Sequence, residues 1–410
     1  MKLLFFTNSY PYGVGELWKT NELNVLIEYF EKITVIPFGY SNQKYPVDFI
    51  NGVEYKLPLF PDGIPVSRWY SLTQYKFLFS QDIFLFLSEF WNKKVYMSKK
   101  KLIKWIYASY KMYLIKHNKY FSKILATVDE NTMVYFYWGR ETSEVIPILK
   151  LKAAKVFSRF HGYDLYRDRN EGYLPYQYQQ LKKLDYAFPC SVHGRNSLIE
   201  CYPDLADKIF VKRLGTLSIG KANQTTSGPF IIVSCSFIEK VKRIDIIAKS
   251  LKFINADIHW IHIGDGTQQN SIEKITKEEN VNHVVTFWGR LNNNEVIEFY
   301  KNNSIDLFVN VSESEGVPVS VMEAFSAAIP VFATNVGGTG EIVNNKNGKL
   351  LEKNITPKML ANEIDNYIQY SQKEKEKYRV NAFNTYIELC DANKLAHEFS
   401  SFILKKTSND

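Results

Sequence analysis

Short runs of β-branched, aliphatic or aromatic residues alternate with segments of helical period along almost the whole chain. That order restricts the fold more than any single motif does, because it is the pattern of wound α/β domains built on parallel sheets. In the first half, strands are expected at Lys2–Asn8, Lys32–Gly39, Met133–Gly139, Lys155–Gly162, Tyr186–Ser191 and Ile209–Gly215, with helices at Leu17–Phe30 and His193–Cys201. The polar, turn-rich segment IGKANQTTSGPF (219–230) then precedes a fresh buried strand, IIVSCSF, and marks a domain boundary.

The second half repeats the alternation. Strands are expected at Ile231–Ser236, IHWIHIGDG, VVTFWGR, IDLFVNVS and PVFATNV, with helices from Arg243, at NNNEVIEFYKNN and from Pro318. From Ile355 onward the chain reads as helical and lysine-rich. A length of 410 residues exceeds what one core serves and suits two domains: 1–218 and 219–385, with a terminal helix at 386–410 that packs back on the first.

Composition closes off several classes. With 45% hydrophobic and 23% charged residues, the chain can form a core, which excludes disorder. No apolar run reaches the roughly 18 residues of a spanning helix. MKLLFFTNSYPYG turns polar too soon for a secretory signal and reads as a first buried strand. Cys190, Cys201, Cys235 and Cys390 are scattered, with no metal-ligand spacing. A reduced, cytoplasmic protein without structural zinc is expected.

The net charge of +8 is unevenly placed. NKKVYMSKKKLIKWIYASYKMYLIKHNKYFSK (92–123) carries ten lysines among aromatic and aliphatic residues. As a helix it puts Ile103, Ile106, Tyr107, Tyr110, Tyr113 and Leu114 on one stripe, with Lys100, Lys104 and Lys111 beside it. Two readings stay open for this basic insert at about 93–123: a core stripe with a solvated lysine face, or attachment to an anionic membrane surface. Nucleic acid is not expected, since no binding motif accompanies the charge.

Glycine clusters fall at strand ends throughout: GVG after the first strand, HGYD after Phe160, GDG after Ile263, WGR after Phe287, SESEG after Val311 and GG after Val336. Open parallel sheets bind ligands beyond the carboxyl ends of their strands, so the two domains are expected to present these loops to a shared cleft. In SESEGVP, Gly316 permits close backbone approach and Pro318 suits a helix start, whose unpaired N–H groups favour an anion or hydroxyl. Glu315 and Glu323 then offer carboxylates to the vicinal hydroxyls of a sugar ligand; a helix start with acidic residues favoured by its dipole is the plainer alternative.

The run EGVPVSVMEAFSAAIPVFATNVGGTGEIV closely resembles the carboxy-domain signature of the retaining GT-B glycosyltransferases of family four, the group that includes bacterial capsule, exopolysaccharide and lipopolysaccharide sugar transferases. HGYDLY, GDG, WGR and YPYGVGE recur in that group in the same order. The resemblance implies a GT-B fold: two Rossmann-like, doubly wound α/β domains facing a central cleft, with a helical carboxy-terminal segment.

It also implies roles. Glu323 would hold the ribose of a nucleotide-sugar donor, UDP-linked by family habit, and Glu315 would meet the donor sugar. Gly316, Val317 and Pro318 would bring backbone amides to sugar and phosphates, and Arg290 and Leu291 would receive the base. Gly264 and Gly266 lie in a further donor loop. Lys242 falls at the family's phosphate-clamp lysine, but the clamp arginine is replaced by Ser236 or Phe237. Arg243 either substitutes for it or is a solvated charge at a helix start.

In the first domain His161 matches the histidine over the donor sugar, and Asp164 caps or orients its loop. Gly13 and Gly15 form either a phosphate-facing loop or only a tight turn; without a third glycine they make no dinucleotide fingerprint.

No D-x-D occurs, so no cofactor and no metal are expected, and Lys242 with helix N-termini would stabilise the leaving diphosphate. The implied reaction is a same-face substitution with retention, in which Glu315 and His161 position the sugar. Transfer to a growing glycan or lipid-linked acceptor, by a protein peripheral on the inner face of the cell membrane, is the expected function. A nucleotide-sugar epimerase and a non-catalytic, nucleotide-sugar-binding scaffold partner are the competing readings.

Overall fold

KLLFFT at the start of the chain forms β1 (Lys2–Thr7), with every residue after Lys2 buried, as a central strand covered on both faces requires. In the computed structural model, which describes residues 1–13, 16, 18–41, 49–64, 72–151, 155–224, 227–279 and 283–408, it is joined by β2 (Lys32–Pro37), β3 (Val53–Tyr55), β4 (Thr132–Phe136), β5 (Lys155–Phe160) and β6 (Tyr186–Pro189). These six strands are parallel, in the order β3-β2-β1-β4-β5-β6.

A second parallel sheet contains β7 (Phe230–Cys235), β8 (Ile258–Ile263), β9 (Val284–Phe287), β10 (Leu307–Asn310), β11 (Val331–Thr334) and β12 (Gly348–Leu351), ordered β12-β11-β10-β7-β8-β9. Both orders are the doubly wound Rossmann arrangement, with its switch point between the first and fourth strands.

Two compact units result, residues 1–212 with 396–410, and residues 213–395. The sequence boundaries at 218/219 and 386 fall slightly inside the second unit. The last helix, Ala392–Ser408, begins in the second unit and belongs to the first from Ala396 on. There Phe399 packs on Tyr135, Phe157 and Phe188. Helices Pro357–Ile368 and Gln372–Leu389 precede it.

Beneath the first sheet lies a buried charge. Arg159, 1% exposed, donates Nε to Tyr135 Oη at 2.7 Å, Nη2 to Glu22 at 3.1 Å and Nη1 to the Lys212 carbonyl at 2.7 Å. A buried guanidinium needs such partners, because unpaired ions in the interior cost several kcal/mol, about 3–5 when one partner is removed.

Ile209–Gly215 is not a strand. It runs beside β6, donating from Phe210 and Lys212 to the carbonyls of Ala187 and Pro189, but a single bridge, Ala187 to Ile209, is all that forms. The edge strands β3 and β12 do not show in the hydrophobic pattern. Val53–Glu54–Tyr55 has only three residues, and Gly348 opens the other, where a Cβ would lie 1.9 Å from the Val331 carbonyl.

The basic insert forms helix Lys99–Lys116, capped by Ser98, and helix Lys119–Leu125. Its buried stripe is Trp105, Ala108, Ser109, Met112 and Ile115 together with Tyr110 and Lys111, and shares only Tyr110 with the expected one. Ile103, Ile106, Tyr113 and Leu114 are half-buried and Tyr107 is exposed. Lys111 is fully buried between Glu141 (3.0 Å) and Glu144 (2.7 Å), Lys100 pairs with Glu171 at 2.6 Å, and Lys104 donates to the Asn170 carbonyl at 2.5 Å. These three lysines therefore do not form a free membrane-facing row. Periodicity misplaces the stripe because two glutamates elsewhere in the chain draw Lys111 inward.

Candidate active site

β7 and β10 are adjacent, so the loops leaving their carboxyl ends run side by side. After β7 the chain reaches a short turn at Lys240–Lys242; after β10 it passes SESEG to helix Val319–Ser326. Lys242 Nζ donates to Glu315 Oε1 at 2.6 Å, and the Glu313 N–H donates to the Val241 carbonyl at 2.8 Å, locking the two loops together. Glu315 is 9% exposed, while the Lys242 side chain keeps 25%.

Arg243 does something else. At φ 51° it directs Nε to the Val311 carbonyl (2.6 Å), Nη1 to Lys353 O (2.9 Å) and Nη2 to Ser312 O (3.3 Å), and partial burial lowers its pKa. Three guanidinium donors are thus spent on backbone carbonyls, two just after β10 and one just after β12. The charge is neither a free clamp nor a solvated helix start.

The double glycine after β11 packs on the same loop. Gly337 has φ 55°, and a Cβ there would lie 1.9 Å from the Glu315 carbonyl; the Gly338 N–H donates to Gly316 O at 2.6 Å. Gly316 and Val317 are half-buried and Pro318 is buried just ahead of the helix. Glu341 reaches away, accepting from Arg213 Nη2 at 2.7 Å.

Glu323 sits about one turn into that helix, 7% exposed. Among the described residues no hydrogen bond or ion pair engages its carboxylate. Burial pushes its pKa up to about 7. Beside the paired Glu315 it is a carboxylate without a donor.

The neighbouring loops serve as backing. Gly264 (φ 137°) donates to Gly289 O at 2.8 Å, and a Cβ on it would strike Ser236 O; one on Gly266 would strike Ile238. Arg290 lies over the Phe237 ring at 5.3 Å, and Leu291 packs on the second domain's core. Lys242 with Glu315, Gly316 with Gly338, and Gly264 with Gly289 are thereby brought together at the carboxyl ends of β7 to β11.

The first domain carries its own constellation. His161, after β5, lies 4.1 Å from the Trp138 ring and 5.3 Å from that of Tyr137, centroid to centroid. Asp164 holds its loop, accepting from the His161 N–H at 2.5 Å and the Gly139 N–H at 2.7 Å, as an orienting residue should. Burial opposes a charged imidazole, but Cys190 and Asp164 beside it outweigh burial and raise the pKa to about 9.

Glu16 and Lys19 complete the cluster. Glu16 accepts from the N–H groups of Ser9 (2.7 Å) and Tyr10 (2.8 Å), from Trp138 Nε1 (2.5 Å) and from Lys19, which lies 4.2 Å from the Tyr137 ring centroid. Burial would raise Glu16, yet Lys19 and these donors hold it down at about 2. Within YPYGVGE the sequence gives Glu16 no role of its own; its one signal is a lysine three residues on. Gly13 has φ 77° and is buried against Ser41. Gly15 lies outside the described residues.

Residues 218–385 match the family described as glycosyl transferases group 1. That match falls within the second domain.

The matched residues include the Lys242–Glu315 pair and Glu323, whose carboxylate has no donor among the described residues. An uncharacterized glycosyltransferase of Methanocaldococcus jannaschii is 38% identical over 114 residues, 28% of this chain and 31% of that one. The O-antigen biosynthesis glycosyltransferase WbnH of Escherichia coli is 40% identical over 91 residues, 22% of this chain and 24% of that one. The chain spans about a quarter to a third of the length of these curated relatives. Over the whole chain the fold is GT-B. Anabaena HepE, solved in complex with UDP, superposes with a TM-score of 0.63 at 15% identity, covering 99% of this chain and all of that one.

Proposed function

We propose that this protein is a glycosyltransferase that moves a sugar from a nucleotide donor, UDP-linked, to a growing surface polysaccharide, lipopolysaccharide or other glycan. Glu323 carries the reading: a buried carboxylate with no donor among the described residues, one helical turn beyond a glycine loop, suits the vicinal hydroxyls of a ribose. The name of WbnH and the UDP in HepE support the acceptor class and the carrier.

The transfer we propose retains anomeric configuration and needs no metal. Lys242 and the amides at the start of helix Val319–Ser326 stabilise the departing diphosphate, Glu315 and His161 position the sugar, and the diphosphate takes the acceptor proton on the same face. Peripheral work at the inner face of an anionic membrane belongs to the same proposal. Product mass and anomeric NMR on purified protein given a panel of nucleotide sugars and lipid-linked acceptors test it. Inversion, abolition by EDTA, or no turnover of any donor would contradict the respective parts.

A second reading, a nucleotide-sugar-binding partner without catalysis, is favoured by Arg243, whose donors hold backbone carbonyls and leave the arginine clamp unfilled. Binding of UDP-sugar with neither hydrolysis nor transfer would select it.

A further inference from the structure

Helix Ile83–Asn92 carries an uncovered apolar face. Phe84, Leu87 and Trp91 recur at helical spacing on its outer side; Phe84 is 83% exposed and Trp91 61%. Phe79 just before the helix, and Tyr96 and Met97 just after, extend the surface, and Trp91 packs on Tyr96 with ring centroids 5.4 Å apart. The inner side of the helix is committed to the core through Phe86 and the buried Glu89. A monomeric surface rarely leaves so many large apolar groups together without a partner.

Met97 leads from this face into a cavity of about 490 Å³ between the turn after the helix and the segment Arg167–Leu174. Lys93, Lys94, Lys101 and Arg167 line it with Ser98 and Tyr173, and among the described residues no carboxylate does. Lys101 donates to the Lys93 carbonyl at 3.3 Å, and Arg167 stacks 4.8 Å from the Tyr202 ring centroid. Lys93 and Lys94 have no ion-pair partner among the described residues. Of the two acids in that segment, Glu171 is taken by Lys100 and Asp168 does not line the cavity. Four cations facing one cavity without an anion repel one another, and a phosphate relieves that repulsion.

We propose that this cavity binds the phosphate of an anionic lipid while Phe79, Phe84, Trp91 and Met97 enter the bilayer interface. The apolar face decides for a lipid over a free phosphate: buried apolar area and lysine attraction together give interfacial binding, whereas a soluble anion leaves the aromatic residues in water. This deepens the membrane part of the proposed function and replaces the lysine row of helix Lys99–Lys116 as its contact.

Flotation of the full chain with vesicles tests it. We expect binding to phosphatidylcholine vesicles that contain phosphatidic acid and little binding to phosphatidylcholine alone. The pair Lys93→Glu and Lys94→Glu should weaken partition by about tenfold or more, and the pair Phe84→Ser and Trp91→Ser should weaken it comparably, with melting curves checked for each.

Wild-type protein that ignores the anionic vesicles overturns the inference. So does unchanged partition of the lysine pair, or calorimetric binding of inorganic phosphate with vesicle binding indifferent to Phe84 and Trp91. Retention of an oligonucleotide in place of vesicles overturns it as well. Transfer to a soluble acceptor by a protein that does not float would sink this inference and leave the transferase reading standing.

Discussion

Lys242 Nζ lies 2.6 Å from Glu315 Oε1, across two loops that leave adjacent strands of the second sheet. The pair comes from positions 73 residues apart, and each member is the other's counter-ion.

Removing one member should therefore reach both sugar placement and leaving-group stabilisation. Lys242→Ala is expected to lower kcat by about a hundredfold to a thousandfold, the usual effect of losing one group aimed at developing charge. Glu315→Gln should cost a similar factor, and the double variant much less than the product. Single-turnover transfer rates check this, and independent, multiplicative losses would show that the two do not act together.

Nucleotide binding should depend on Glu323. On the proposed function a ribose hydroxyl donates to the ionised carboxylate, so affinity should follow the ionised fraction of a group at about 7. UDP affinity should fall up to about eightfold from pH 7.5 to 6, and Glu323→Gln should flatten the profile at low affinity. The stability sign is opposite. A raised carboxylate pKa favours the folded state below its unfolded value near 4.5, and that contribution is lost as pH rises through about 7. Calorimetric titration across pH and denaturation midpoints read the two effects separately.

Lys111 and Lys100 should part company although both are lysines of one helix. Lys111→Ala leaves Glu144 buried beside Arg140 alone, and a loss of about 3–5 kcal/mol is expected in urea unfolding. Lys100, 73% exposed in its pair, should leave the midpoint where it was. A Lys111 variant of ordinary stability would undo the buried-pair account.

Gly337→Ala combines a left-handed backbone with a Cβ 1.9 Å from the Glu315 carbonyl. It should destabilise by about 2 kcal/mol or more and lower transfer through Glu315's loop. Gly63→Ala, with open space around it, is the control for backbone strain alone.

The fold is legible because a strand buried on both faces must be apolar along its length, and this chain writes most of its strands that way. Glycines at strand ends locate the loops that matter, and the E-x7-E run picks out Glu315 and Glu323 from the amino-acid order alone. Where burial depends on a partner far along the chain, local pattern fails. Lys111 reads as a surface lysine, yet Glu141 and Glu144 close on it. Ile209–Gly215 reads as a strand but finds too little of an edge. Glu16 carries no role in the amino-acid order, yet Ser9, Tyr10, Trp138 and Lys19 converge on it.

Sequence by itself determined the two wound domains, because hydrophobic period is a local property set by which faces must avoid water. Only the tertiary structure decided which charges are spent on the protein and which find no partner among the described residues. Arg243 is spent on carbonyls just after β10 and β12, while Glu323, Lys93 and Lys94 have no ion-pair partner among the described residues. Neighbouring strands and loops make that division, and nothing in a residue's own neighbourhood in the chain states who will face it.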